Sequence, residues 1–429
     1  MNRDISKLVV GLATIILVAG CHWHSNNSSS QVAPVIDPAS QNDFGGSGVV
    51  LDNALVSSFV LFQNDAVSRL INRDGGAVQK NGVNNIYSIG AYVDPNDGNR
   101  VKLFVNDRVN HRILIFNAIP QDQTAQPDVV VGQANFTDGV QNAGAGPAGT
   151  PSAAGFNENV HMSVCSNGMM LVSDRLNNRV LVYNKVPTVN GTAADFVIGQ
   201  PDFSTNAQVN PPTANSLYHP YTAYCMASKL FIVDKDNNRI LVYDPIPLGN
   251  NPTASYVIGQ PDMTTNTAGC AVDKLNGPYE ILRVGDTFFV ADGSNNRVLA
   301  FDNIPTASGP SANAVLGQTD FSTSCLPNKT NTPTPSASSL WFPNSLAAKD
   351  NRLAVSDHSN NRIMFFDLPI TTNQSAFAQF GQPDFITATE YNPPSANSVT
   401  NTKGLIYDRQ FMWISDGRNN RLTVIPLPY

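Results

Sequence analysis

The stretch Asp174-Arg175-Leu176-Asn177-Asn178-Arg179 lies between two apolar runs, Met169–Ser173 and Val180–Tyr183. It recurs as Asp234…Asn237-Asn238-Arg239, Asp292…Asn295-Asn296-Arg297, Asp357…Asn360-Asn361-Arg362 and Asp416…Asn419-Asn420-Arg421. An earlier copy, Asp107…Asn110-His111-Arg112, has His at the second Asn. Each copy sits between two short β-rich runs, such as Leu230–Val233 and Ile240–Tyr243, and two such runs joined by a polar Asn-containing turn predict a hairpin. Six hairpins in one chain predict a repeat architecture.

A second element follows each of the first five hairpins. It reads Val131-Gly132-Gln133, Ile198-Gly199-Gln200-Pro201-Asp202-Phe203, Ile258-Gly259-Gln260-Pro261-Asp262-Met263, Leu316-Gly317-Gln318-Thr319-Asp320-Phe321 and Phe380-Gly381-Gln382-Pro383-Asp384-Phe385. From hairpin Arg to this Gly the chain advances 20, 20, 20, 20 and 19 residues. From the Gly to the next hairpin Asp it advances 42, 35, 33, 40 and 35. Half of each unit is fixed in length and half is not, as in a four-stranded antiparallel blade. Strand a precedes the hairpin (Tyr221–Cys225, Tyr279–Arg283), strands b and c flank the Asp…Arg turn, and strand d ends in Gly-Gln. Length then varies in the crossover from the rim of one blade to the centre of the next. Strand d is an edge, and Pro and Gly at its end keep it from recruiting a neighbour.

The two ends complete each other. After Arg421 there is room for a strand c and no strand d, while Val60-Leu61-Phe62-Gln63-Asn64-Asp65 matches Val-Ile-Gly-Gln-Pro-Asp with Phe62 in place of Gly. The prediction is an all-β, six-bladed β-propeller over residues 55–429, its last blade completed by the amino-terminal strand. These residues resemble the NHL repeat, and the Gly-Gln-Pro-Asp-Phe variant looks like a subgroup of exported bacterial proteins. The resemblance implies protein or glycan binding. Because six-bladed propellers also include metal-dependent hydrolases, lactonases and lyases, it leaves a channel-centred enzyme as the alternative.

Residues 1–20 read as a signal peptide: Arg3 and Lys7 precede an apolar run from Leu8 to Val18 that is short for a bilayer span. The run ends in Leu17-Val18-Ala19-Gly20-Cys21, which resembles the lipobox of bacterial lipoproteins. That resemblance implies acylation of Cys21 (palmitate among the chains), anchoring in the cell envelope and sorting to an outer membrane. Residues 21–54, rich in Ser, Asn and Pro, read as a flexible tether. Four cysteines remain. Cys270 and Cys325 occupy corresponding inter-repeat loops and are the first choice for a disulfide; Cys165 and Cys225 each lie nine residues before a hairpin Asp, and four unpaired thiols are the other possibility.

The chain has 429 residues, 41% apolar and 14% charged, with 29 Pro, 30 Gly and a net charge of −7. This suits a turn-rich β protein and gives no sign of a nucleic-acid partner. The recurring Asn tolerates left-handed backbone. The recurring Asp and Arg are placed to meet within the hairpin or to bridge blades, a structural role. Variability gathers on the face of the b–c turns, where Arg108, Arg175, Lys235 and Arg418 are basic and His358 is expected to join them as a rim for an anionic envelope polymer. Glu280, with Arg283 three residues on, is the candidate channel carboxylate. His161 and His219 lie thirteen and fifteen residues before their hairpin Asp and so are not expected in one ring. No nucleophile–base pair, phosphate loop, cofactor motif or metal-ligand spacing is legible. The resulting expectation is a monomeric, lipid-anchored binding or scaffold module without catalysis, cofactor or metal.

Overall fold

The computed structural model describes residues 59–65, 67–321, 325–332, 334–408 and 411–426. The expected signal peptide, Cys21 and the whole of the tether lie outside the described residues. Six four-stranded antiparallel sheets follow one another. Blade 1 comprises Ile86–Asp94, Arg100–Asp107, Arg112–Phe116 and Val129–Val131, and blade 2 comprises Asn159–Val164, Met170–Asp174, Arg179–Tyr183 and Phe196–Ile198. Blade 3 is built from Pro220–Met226, Lys229–Asp234, Arg239–Tyr243 and Tyr256–Ile258, and blade 4 from Glu280–Val284, Thr287–Asp292, Arg297–Phe301 and Ala314–Leu316. Blade 5 has Pro343–Lys349, Arg352–Asp357, Arg362–Asp367 and Ala378–Phe380. Blade 6 takes Thr402–Asp408, Phe411–Asp416 and Arg421–Pro426 from the end of the chain and Phe59–Leu61 from its beginning. Val60 pairs with Thr423, as the sequence predicts. The innermost strands touch in cyclic order and that of blade 6 meets that of blade 1, so the protein is a six-bladed β-propeller.

The repeated residues build the joints. Every b–c turn is tight, and its second Asn is left-handed, with φ between 51° and 54° at Asn178, Asn238, Asn296, Asn361 and Asn420. Asp234 Oδ2 accepts from Arg239 Nε at 2.7 Å and Asn237 Nδ2 at 2.8 Å, while its Oδ1 accepts the Tyr218 N–H at 2.7 Å. Arg239 also donates to the carbonyls of Met263, Thr213 and Ser216, tying the turn to the crossovers before and after it. The Asp–Arg pair therefore closes within its own hairpin.

Bridging to the next blade falls to the second Asn. Asn178 Oδ1 accepts from His219 N at 3.0 Å and Asn238 Oδ1 from Gly277 N at 2.8 Å. In blade 1, His111 Nδ1 does the same for Glu158 N at 2.9 Å. The last such bond, Asn85 N to Asn420 Oδ1 at 2.7 Å, joins blade 6 to blade 1. Gln63 donates to the Asn420 carbonyl at 2.8 Å as Gln200 does to that of Asn178, so the degenerate motif at Phe62-Gln63 keeps its closing function.

Each Gly before the Gln covers one apolar residue of the following crossover. At Gly199, φ is +93° and a Cβ would stand 2.5 Å from Leu217, so a side chain is excluded twice over. The residues under the five glycines are Phe156, Leu217, Leu275, Leu340 and Val399, all buried. Of the three pairings open to four cysteines, one is formed: Cys165–Cys225 links blades 2 and 3, and Cys270–Cys325, the first choice from the sequence, links successive crossovers.

Candidate functional site

Counting forward from those five anchors, and from Val83, which is buried in one cluster with Phe62 of the degenerate motif, puts the inner strands in common register. The fourth residue after each of Val83, Phe156, Leu217, Leu275, Leu340 and Val399 is Tyr87, Val160, Tyr221, Tyr279, Asn344 and Lys403. This layer lies where the inner strands begin, at the channel mouth on the face of the b–c turns. Tyr87 and Tyr221 share a hydrogen bond of 3.1 Å between hydroxyls, Tyr221 meets Tyr279 edge-to-face at 4.5 Å, and Tyr279 meets Phe342 at 5.0 Å. The three tyrosines are 7–8% exposed and form an aromatic floor.

Four cations stand over that floor. Arg108 is 4.9 Å and Lys403 4.0 Å from the centre of the Tyr87 ring. Arg175 is 5.8 Å from that of Tyr221, and Lys235 is 5.4 Å from Tyr221 and 5.3 Å from Tyr279. The counter-charges are Glu158, which accepts from Arg108 Nη2 at 2.5 Å and Arg175 Nη1 at 2.9 Å, and Asp236, which meets Lys235 Nζ at 2.6 Å and His219 Nδ1 at 2.5 Å. Arg108, Arg175 and Lys235 against two carboxylates leave the mouth cationic on a chain that is acidic overall, and Lys403, lowered to about 7 by burial and the two guanidiniums, adds its charge below neutral pH. Arg108, Arg175 and Lys235 keep 16–19% of their side chains exposed.

Two of the expected rim residues stand otherwise. His358 is half-buried against Phe342, and burial together with the nearby Lys403 charge lowers its pKa to about 3. It is neutral at pH 7 and adds no charge, contrary to the sequence-based expectation. Arg418 is 54% exposed and engages Glu390 at 2.7 Å. Lys403, which sequence reasoning missed, stands at the mouth over the Tyr87 ring. Among the described residues it has no ion pair or hydrogen bond, only the Tyr87 ring.

One register step deeper lie Ser88, His161, Thr222, Glu280, Ser345 and Gly404, the fifth residues after the anchors. Glu280 Oε1 accepts from Tyr224 Oη at 2.9 Å, and that hydroxyl is 3.0 Å from His161 Nε2. Three neighbouring blades thus place Glu280, Tyr224 and His161 in contact. Burial raises Glu280 to about 7 against donors from Tyr224, Ser345 and Leu346, and lowers His161 to about 3. Arg283 does not share this site: it bonds the Gly285 carbonyl at 2.7 Å and lines a cavity of about 730 Å³ with Lys349 and Asp350, where the a–b and c–d connections of blades 4 and 5 meet. A channel metal would need a third donor beside Glu280 and His161. Among the described residues no group of three or more His, Cys, Asp or Glu side chains is so placed.

No family model and no curated protein matches the chain. Among solved structures, an auxiliary nutrient binding protein from Bacteroides ovatus is similar at 12% identity and TM-score 0.49, over 88% of this chain and 78% of that one. A structural genomics protein of unknown function from Bacteroides thetaiotaomicron has 14% identity and TM-score 0.47, covering 87% and 76%. Virginiamycin B lyase from Staphylococcus aureus has 14% identity and TM-score 0.43, covering 81% and 97%. At these identities and TM-scores none carries over what it binds or catalyses.

Proposed function

We propose that this protein is a lipid-anchored, non-catalytic binding module of the bacterial cell envelope, an NHL-type propeller that holds an anionic glycan at the mouth of its ring. The observation that carries this reading is the convergence of Arg108, Arg175, Lys235 and Lys403 on three tyrosines with only Glu158 and Asp236 to balance them. Cations held over aromatic faces in partly desolvated positions attract an anion more strongly than mobile surface side chains do, because less ordering is left to pay for on binding. The amino-terminal strand runs antiparallel to Arg421–Pro426, with Leu61 opposite Leu422 and Phe59 opposite Val424.

Calorimetric titration with polygalacturonate, dextran sulfate and neutral dextran tests the reading. Binding of at least one polyanion, absent with neutral dextran and weakened by salt, is expected. Charge reversal at Arg108, Arg175 and Lys235 together is expected to abolish it without changing the fold seen by circular dichroism. Polyanion binding that survives the reversal, or none by the unaltered protein, would overturn it.

A further inference from the structure

The mouth cations are not equivalent. Arg108 and Arg175 are committed to Glu158, and Lys235 to Asp236. Lys403 comes from the inner strand of blade 6, is half-buried, and has no anionic partner among the described residues. The groups facing it are the Tyr87 ring, the Arg108 and Arg175 guanidiniums, the Glu158 carboxylate and His358. A half-buried ammonium beside two guanidiniums and one shared carboxylate is a cation with little compensation, and such a group tends to lose its proton or to acquire an anion.

We propose that Lys403 is the group on which the ligand's anion seats, and that seating takes up one proton from solvent. The inference rests on the anionic-glycan reading above and adds to it the contact residue and the coupling. Burial and the two guanidiniums lower the amine to about 7, so without an anion beside it most copies carry R–NH2 above neutral pH. A carboxylate or sulfate ester brought within hydrogen-bond distance favours R–NH3+ and restores the ordinary lysine range. The balance is R–NH2 + H+ + X− → R–NH3+···X−, with no bond broken in the ligand. By linkage, affinity is expected to fall about tenfold for each pH unit above about 7 and to be nearly flat below it. Glu280 also titrates near 7, from the layer below, and a control must leave it in place.

The experiment uses the full chain and whichever of dextran sulfate or polygalacturonate it binds, titrated from pH 6 to 9 in buffers of different ionisation enthalpy. The unaltered protein is expected to take up close to one proton per site at pH 8 and close to none at pH 6. Lys403→Arg keeps the charge at every pH and retains Glu280, so it should bind with a flat profile and no buffer-dependent heat. Lys403→Met should bind weakly at all pH values. If Lys403→Arg follows the same pH curve as the unaltered protein, the proton belongs elsewhere and the proposal fails while the anionic-glycan reading stands. If Lys403→Met binds like the unaltered protein, Lys403 is not the seat. Absence of binding at every pH refutes the anionic-glycan reading itself.

Discussion

Replacing Arg239 by Ala is the perturbation whose size the structure fixes best. The guanidinium is fully buried, bonds Asp234 at 2.7 Å, and donates to three backbone carbonyls at the junction of two crossovers. Its removal leaves Asp234 buried with Asn237 and the Tyr218 N–H but no cation. Breaking a buried pair in this way costs about 3–5 kcal/mol, mostly for the stranded charge. With unfolding entropy near 2 cal/mol/K per residue, that corresponds to a fall in Tm on the order of 5 °C for a domain of this length. Thermal and urea unfolding would measure it. Losing Arg239 raises the folded-state carboxyl of Asp234 further above its unfolded value. The folded variant then binds a proton that the unfolded chain does not, and stability is lost as pH rises from about 4 towards 7. The gap between variant and parent should accordingly be larger at pH 7 than at pH 4.5. Adding Asp234→Asn removes the stranded charge, so the double variant should recover part of the loss at pH 7. A single variant as stable as the parent but unable to bind a polyanion would refute the structural assignment of these pairs.

Glu280→Gln removes a carboxyl raised to about 7 in the folded protein from an ordinary value of 4.5. A raised carboxyl contributes stability below its unfolded value that is lost as pH climbs through the folded one, so the parent should lose about 3 kcal/mol between pH 4 and 8 and the variant much less, read by urea midpoints across pH. Reducing the two disulfides, whose partners are 60 and 55 residues apart, should lower stability by about 2–4 kcal/mol per bridge, measured as Tm with and without reductant. Arg418→Ala removes an exposed pair with Glu390 and should change stability by less than about 1 kcal/mol and leave polyanion affinity unaltered, by unfolding and calorimetry.

The fold was legible because its joints repeat. Asp, Asn and Arg must occupy fixed offsets for one carboxylate to accept from Arg Nε, Asn Nδ2 and a crossover N–H, and Gln63 betrays the displaced strand through the same bond that Gln200 makes. Of the two roles left open for Asp and Arg, closure within the hairpin is the one they fill; the bridge to the next blade belongs to the second Asn, which stands in left-handed backbone. The channel was not legible because hairpin Asp is the wrong origin for counting. The inner hairpin of blade 2 has a register shift between Asn159 and His161, whereas that of blade 4 pairs without one. His161 and Glu280 therefore look out of step from the turn, yet both are fifth after the anchors Phe156 and Leu275. Lys403 escaped notice because it stands in an inner strand, at the position that holds Tyr in blades 1, 3 and 4.

Closure of the ring, and with it the common register of the mouth residues, depends on Phe59–Leu61 being the outer strand of blade 6. Hydrogen–deuterium exchange of the intact protein measures this directly, by comparing the peptide over residues 59–65 with that over Phe196–Ile198, the outer strand of blade 2. Slow exchange of both peptides, lost together on unfolding, is the result expected of a ring closed by its own beginning. Exchange of residues 59–65 within seconds, at the rate of free chain, would contradict it.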